Sequence, residues 1–206
     1  MNILLVTMSM DIGGAETHIL ELAKALKKRE NNVYVVSAGG KLVNELVDND
    51  VEHIYAPLKD KKIRHITESY RTIKKVIKEK NIDVVHAHAR IPGAICGAVC
   101  KRMKVPFVTT VHGIYKVNFM YKILTNWGEK TLAVSDDIRI QVIRDYKLKP
   151  ENVEVTINGI DTEKFKKDSK IKGKMLQELG MEADKKTVIH ISRLDRIKIH
   201  QMLQKH

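Results

Sequence analysis

The stretch ILLVTMSMDIGGAETHILELAKAL, residues 3–26, passes from a continuous apolar run through a glycine pair into a helical repeat. The run at 3–7 is too short for a buried helix and reads as a strand, whereas Ile19, Leu22, Ala23 and Leu26 recur at helical spacing. A strand that enters a helix through glycines is the opening of an α/β unit, and the free N–H groups of such a helix start can hold an anion. Taken alone, Gly13 and Gly14 read equally as a tight turn or as a loop that lets the backbone approach a phosphate. The pattern is not G-x-G-x-x-G, and the second strand ends in "VYVVSAGG", which offers Ser37 where a ribose-binding acid would stand. A nicotinamide dinucleotide is therefore not expected. A phosphate loop of the lysine and serine or threonine type is also absent.

The same alternation continues outward. "NVYVVS" (32–37), "VEHIYA" (51–56), "DVVHA" (83–87), "FVTTV" (107–111), "TLAVS" (131–135) and "VEVTIN" (153–158) read as further strands. Helices are predicted around Ile66, Tyr70, Ile73 and Ile77, and over 93–103, 116–128 and 136–146, the last capped by Ser135 or Asp136. Strands apolar on both faces and separated by helices imply a Rossmann-like, doubly wound parallel α/β sheet with helices on both faces. Ligands bind such sheets beyond the C-terminal strand ends. The residues to scrutinise are thus Ser9 to Glu16, His86 to Arg90, His112 and Gly113, Ser135 and Asp136, and Asn158 to Asp161.

After Asp161 the chain turns polar and basic, then reaches one more buried-strand run, "TVIHIS" (187–192), followed by only fourteen residues. One strand and a short polar tail cannot enclose a core. The expected division is residues 1–165 as the main domain and 166–206 as a linker with the truncated beginning of a second.

The formal charge of +12 is local. Residues 59–80 carry nine Lys and Arg against three acids, and residues 166–206 carry eleven against five, which together account for the whole excess. Such patches suit a solvated face, anionic lipid or a polyanionic substrate. Nucleic acid is not expected, because three Phe and one Trp supply little for base stacking. Asp11 and Glu16 interrupt the N-terminal apolar run too soon for a secretory signal, and "IPGAICGAVC" (91–100) is too short to span a bilayer. Cys96 and Cys100 lie four apart on one predicted helix face, a spacing that suits two buried small side chains and no zinc pattern. A reducing cytoplasm is the expected compartment.

His86 and His88 fall on one side of an extended chain, but no cysteine or carboxylate cluster completes a ligand set, so no metal is expected. They read as substrate-facing or as buried and hydrogen-bonded. His112 in "TTVHG" lies at a strand mouth, where an imidazole can bond a hydroxyl or exchange a proton, and where it can equally be a satisfied buried residue. In "SRLDRIK", Arg193 and Lys198 directly follow the last strand and could clamp a diphosphate.

In order and spacing these pieces resemble the retaining glycosyltransferases of family 4, whose GT-B fold sets two Rossmann-like halves face to face. "GGAE" (Gly13 to Glu16), "DVVHAH" (Asp83 to His88), "VHG" (Val111 to Gly113), "NGID" (Asn158 to Asp161) and "SRLDRIK" carry the resemblance. It implies an N-terminal acceptor half, a nucleotide-sugar donor and a glycan or glycolipid acceptor in cell-envelope synthesis. By the same resemblance His112, Arg193 and Lys198 are catalytic, and Gly13, Gly14, Glu16, Asn158 and Asp161 bind the donor. Arg193 and Lys198 would neutralise the leaving diphosphate in place of a metal. The donor-domain strands expected after Lys198 are absent, so the chain is expected to be an incomplete enzyme with little activity alone. The alternatives are a non-catalytic acceptor-domain module that works with a separate donor chain, and, less well matched, a sugar-nucleotide epimerase. The lysine-rich face within 59–80 would suit peripheral contact with an anionic membrane.

Overall fold

Strands that are apolar on both faces must be covered on both, and these are. The computed structural model describes residues 1–114, 125–163 and 165–181. Seven strands form one sheet: β1 (Asn2–Val6), β2 (Asn32–Ser37), β3 (Glu52–Tyr55), β4 (Val84–Ala87), β5 (Phe107–Val111), β6 (Lys130–Ala133) and β7 (Val153–Val155). Their order is β3-β2-β1-β4-β5-β6-β7, and every pairing is parallel. The order reverses between β1 and β4. That reversal opens a crevice at the C-terminal strand ends.

The helices are α1 (Gly14–Lys28), α2 (Val43–Val47), α3 (Ile63–Glu79), α4 (Arg90–Met103), α5 (Asp136–Tyr146) and α6 (Ser169–Glu178). The period of two splits β1 between two cores. Leu4 and Val6 pack with Val36, Val85 and Ala87 beneath Ile73 and Ile77 of α3 and Cys96 and Val99 of α4. Ile3 and Leu5, with Val33 and Val35, pack beneath Ile19, Leu20 and Ala23 of α1 and Leu46 of α2. Moving either side by one residue would turn every apolar group to the wrong core. A third cluster joins Val111, Ala133 and Val153 to Ile138 and Val142 of α5. The doubly wound α/β fold is thus observed, and helices cover both faces.

Several element ends differ from expectation. β7 stops at Val155 instead of Asn158, at an edge where Ile157 stands exposed. Helix α4 begins at Arg90, earlier than 93, because Ala89 is already extended and takes the N-cap position. Of the helix expected over 116–128, residues 115–124 lie outside the described residues, and 125–128 are not helical. Gly128 there has a φ of +74°, and a side chain on it would strike the Phe107 carbonyl. That turn requires glycine. The expected strand at 187–192 also lies outside the described residues.

The chain divides into two compact units, Met1–Gly159 and Ile160–His206. In the second, α6 is followed by Gly180 in the left-handed region, where the Met181 amide donates to the Leu176 carbonyl. Among the described residues no helix is long and apolar enough to cross a membrane.

Candidate functional site

The site stands at the C-terminal ends of β1, β4 and β5. The loop after β1 is braced from β2's side. Met10 donates to the Gly39 carbonyl at 2.9 Å, and Leu42 donates to the Met10 carbonyl at 2.8 Å. Lys59 reaches Asp11 at 2.6 Å, which holds that carboxyl below its ordinary range. This bracing delivers Gly13 to the start of α1, where its carbonyl accepts the Thr17 amide at 2.9 Å. No side chain caps that end. The first N–H groups of α1 therefore keep their capacity for an anion.

Neither glycine of this pair is demanded by the backbone. Gly13 is extended, with φ −173°, and Gly14 is not in the left-handed region. A side chain on Gly13 would meet only the movable end of Glu16, and one on Gly14 would meet nothing within 4 Å. The space beside Gly14 is open, as close approach by a ligand requires.

Four histidines gather next to this loop. His18 lies on α1, His86 on β4, and His88 and His112 just beyond β4 and β5. The His88 amide donates to the Val6 carbonyl at 2.9 Å, which carries the β1–β4 ladder past its strand end. Since Val85 and Ala87 face α3 and α4, the alternation turns His86 and His88 toward α1's side of the sheet. His86 Nε2 lies 2.7 Å from Thr110 Oγ1, and His88 Nδ1 lies 3.1 Å from His112 Nε2. The ring centroids of His86 and His88 are 4.1 Å apart, and His18 meets His112 edge-on at 5.0 Å.

Burial keeps these rings uncharged. It pushes His86 down to about 3 and, helped by the neighbouring His18, His112 to about 4. His88, buried and surrounded by imidazoles, is held well below its ordinary value. His18 is also lowered by burial, against the opposing effect of a hydrogen bond to the Asn158 side chain. Neutral rings each offer one donor and one acceptor, suited to hydroxyls.

Of the sequence-predicted residues, Gly13, Gly14 and Glu16 share the first turn of α1, and Asn158 and His112 meet around His18. Asp161 belongs to the second unit, where its Oδ1 accepts the Glu163 amide at 3.0 Å. Arg193 and Lys198 lie outside the described residues. His18 is the member of this cluster that sequence reasoning did not single out. Its signal was its place one turn after Gly14 on a helix leaving a strand end. Cys96 and Cys100 are buried and unbridged as expected, and burial pushes the Cys100 thiol up to about 12.

The sequence profile described as Glycosyltransferase Family 4 matches residues 12–164. An uncharacterised glycosyltransferase of Methanocaldococcus jannaschii is 27% identical over 161 residues, covering 74% of this chain and 44% of that protein. The crystal structure of a glycosyltransferase from Rickettsia africae is similar with a TM-score of 0.85 at 25% identity, over 98% of this chain and 55% of that one. The Anabaena protein HepE, solved in complex with UDP-glucose, shares the fold with a TM-score of 0.72 at 18% identity, over 87% of this chain and 50% of that one. The chain spans about half the length of the relatives it matches.

Proposed function

The chain belongs to Glycosyltransferase Family 4, and on that premise we propose that it serves as the acceptor half of a transferase that moves a sugar from a nucleoside diphosphate to a glycan or glycolipid hydroxyl in cell-envelope synthesis. The observation that carries this reading is the uncapped start of α1, with open space beside Gly14 and neutral histidines next to it. An anion accepted there would bring its sugar hydroxyls to groups that donate and accept hydrogen bonds without charge. The UDP-glucose bound by HepE supports a nucleotide-sugar as the donor class.

In this reading the acceptor oxygen bonds to the anomeric carbon as the carbon–oxygen bond to the diphosphate breaks, and the nucleoside diphosphate leaves. His112 holds the transferred sugar, Gly13, Gly14, Glu16 and Asn158 line the donor's approach, and Asp161 is assigned to donor binding by the family resemblance. Arg193 and Lys198 balance the diphosphate charge, so that step calls for no metal. Retention of configuration follows from the family. The work is done in the cytoplasm, where α3 supports peripheral contact with anionic lipid: Ile73, Val76 and Ile77 are buried beneath it, while Lys74, Lys75 and Lys78 face outward.

A second reading is a binding module that acts with a separate donor chain. Titrating the ¹⁵N-labelled chain with UDP, UDP-glucose and UDP-N-acetylglucosamine tests what both share. Amide shifts should centre on Gly13, Gly14, His18 and His112. Shifts confined to other surfaces, or none at millimolar ligand, would overturn the proposal. Both readings expect little transfer by the 206-residue chain alone, and transfer that appears only when a separately expressed donor-domain chain is added favours the second.

A further inference from the structure

We infer that His18, His88 and His112 form a site for one divalent transition-metal ion of the zinc class. The three come from different elements, α1 and the ends of β4 and β5, and the topology brings them together where the strand order reverses. Each offers a ring nitrogen, and these nitrogens all lie within 4.8 Å of one another. The 3.1 Å between His88 Nδ1 and His112 Nε2 is close to the roughly 3.3 Å edge of a tetrahedron with metal–nitrogen bonds of about 2.0–2.1 Å. The partly buried His18 on α1 has to close the remaining distance.

A second observation points to a ligand. His88 is 3% exposed, and its Nε2 is buried without a hydrogen-bond partner. A buried polar atom left unspent costs stability and calls for an occupant. Here it belongs to the ring that stacks with His112 at 5.4 Å, packs on His86 at 4.1 Å and lies 5.8 Å from His18. The nitrogen of this ring that faces His112 is Nδ1, so the unpartnered Nε2 marks room for a further polar group or water on the other side of the ring, while the ion itself rests on the convergence of the three rings.

The donor set also selects the ion. Three imidazoles without a carboxylate suit zinc, copper, nickel or cobalt and offer little to magnesium or calcium, which take oxygen. Three protein ligands leave a fourth position for water or a sugar hydroxyl. Outer contacts hold the rings in place: Asn158 bonds His18, and His86, tied to Thr110 at 2.7 Å, supports His88. Such an ion is separate from the donor diphosphate, to which the expectation of a metal-free step applies. Its binding does not depend on the transferase reading.

Chelator-treated full chain titrated with cobalt(II) tests the site. One equivalent should bind at micromolar concentration with visible d–d bands of a low-coordinate nitrogen site, and zinc(II) should displace it. His18→Gln and His112→Gln should each weaken zinc binding at least tenfold in calorimetry and remove the bands, while His65→Gln leaves both unchanged. His88→Gln is the strongest variant where circular dichroism shows it folded, and His18→Gln carries the test where it does not. Lack of uptake at micromolar metal, or cobalt binding that survives His18→Gln and His112→Gln together, would overturn the inference. Nucleotide-sugar shifts measured on the metal-free chain report on the transferase reading separately.

Discussion

The chain contains two adjacent glycine pairs, each just beyond a strand of the same sheet, and they serve opposite ends. Gly39 and Gly40, after β2, both lie at positive φ, +76° and +146°, and a side chain on Gly40 would fall on the Met10 backbone. Gly13 and Gly14, after β1, have ordinary backbone angles, and an added side chain would meet only the movable end of Glu16 at Gly13 and nothing at Gly14. The second pair is there because the fold needs it. The first is free of that need and lies beside the histidines. Identical dipeptides therefore carry a structural demand in one loop and an unconstrained opening beside the histidines in the other.

The sharpest way to break this comparison is substitution in the demanding pair. Gly40→Val should cost about 3 kcal/mol or more, since the new side chain needs a disfavoured φ and displaces the loop that positions α1. A urea midpoint unchanged from the parent protein would remove the distinction.

The histidines beside the open pair should give the protein a pH signature. His86 has a folded value of about 3 against an unfolded value of about 6.5. Between those values the unfolded chain binds the extra proton, so stability is full above pH 6.5 and is lost as pH falls. His86 alone should account for about 2 kcal/mol between pH 7 and pH 5. Urea melts in chelator at both pH values measure it, and His86→Asn should flatten the dependence.

Helix starts extend the comparison. The Ser135 side chain accepts the Ile138 amide and caps α5, whereas α1 has no such cap. Ser135→Ala should cost about 1 kcal/mol without altering nucleotide-sugar shifts. The smallest stability effect is expected at Gly14→Ala: a gain of up to about 1 kcal/mol from helix propensity, together with weaker nucleotide-sugar shifts. A stability loss there would mean that the fold requires Gly14 after all.

Much of this was legible because the relevant signals are local. Continuous apolar runs located the seven observed strands, and the spacing of Ile19, Leu22, Ala23 and Leu26 located α1. Ends were less legible. The turn at Gly128 is set by the Phe107 carbonyl, twenty-one residues earlier in the sequence, and the early start of α4 depends on the extended Ala89. Periodicity registers neither. Within the site, Gly13, Gly14, Glu16 and His112 could be singled out because each follows a strand end, yet nothing near His18 in the sequence announces His88 or His112.

By itself the sequence determined a parallel, doubly wound sheet, since runs apolar on both faces can be satisfied only by helices on both sides. It also located the C-terminal strand ends, where sheets of this kind take their ligands, because those ends can be read from the runs. Only the tertiary structure decided which residues meet. Pairing β4 against β1 brings residues 86–88 to the start of α1, and β5 beside β4 brings His112 to His88. Those neighbours are created by long crossovers, and no spacing along the chain records them.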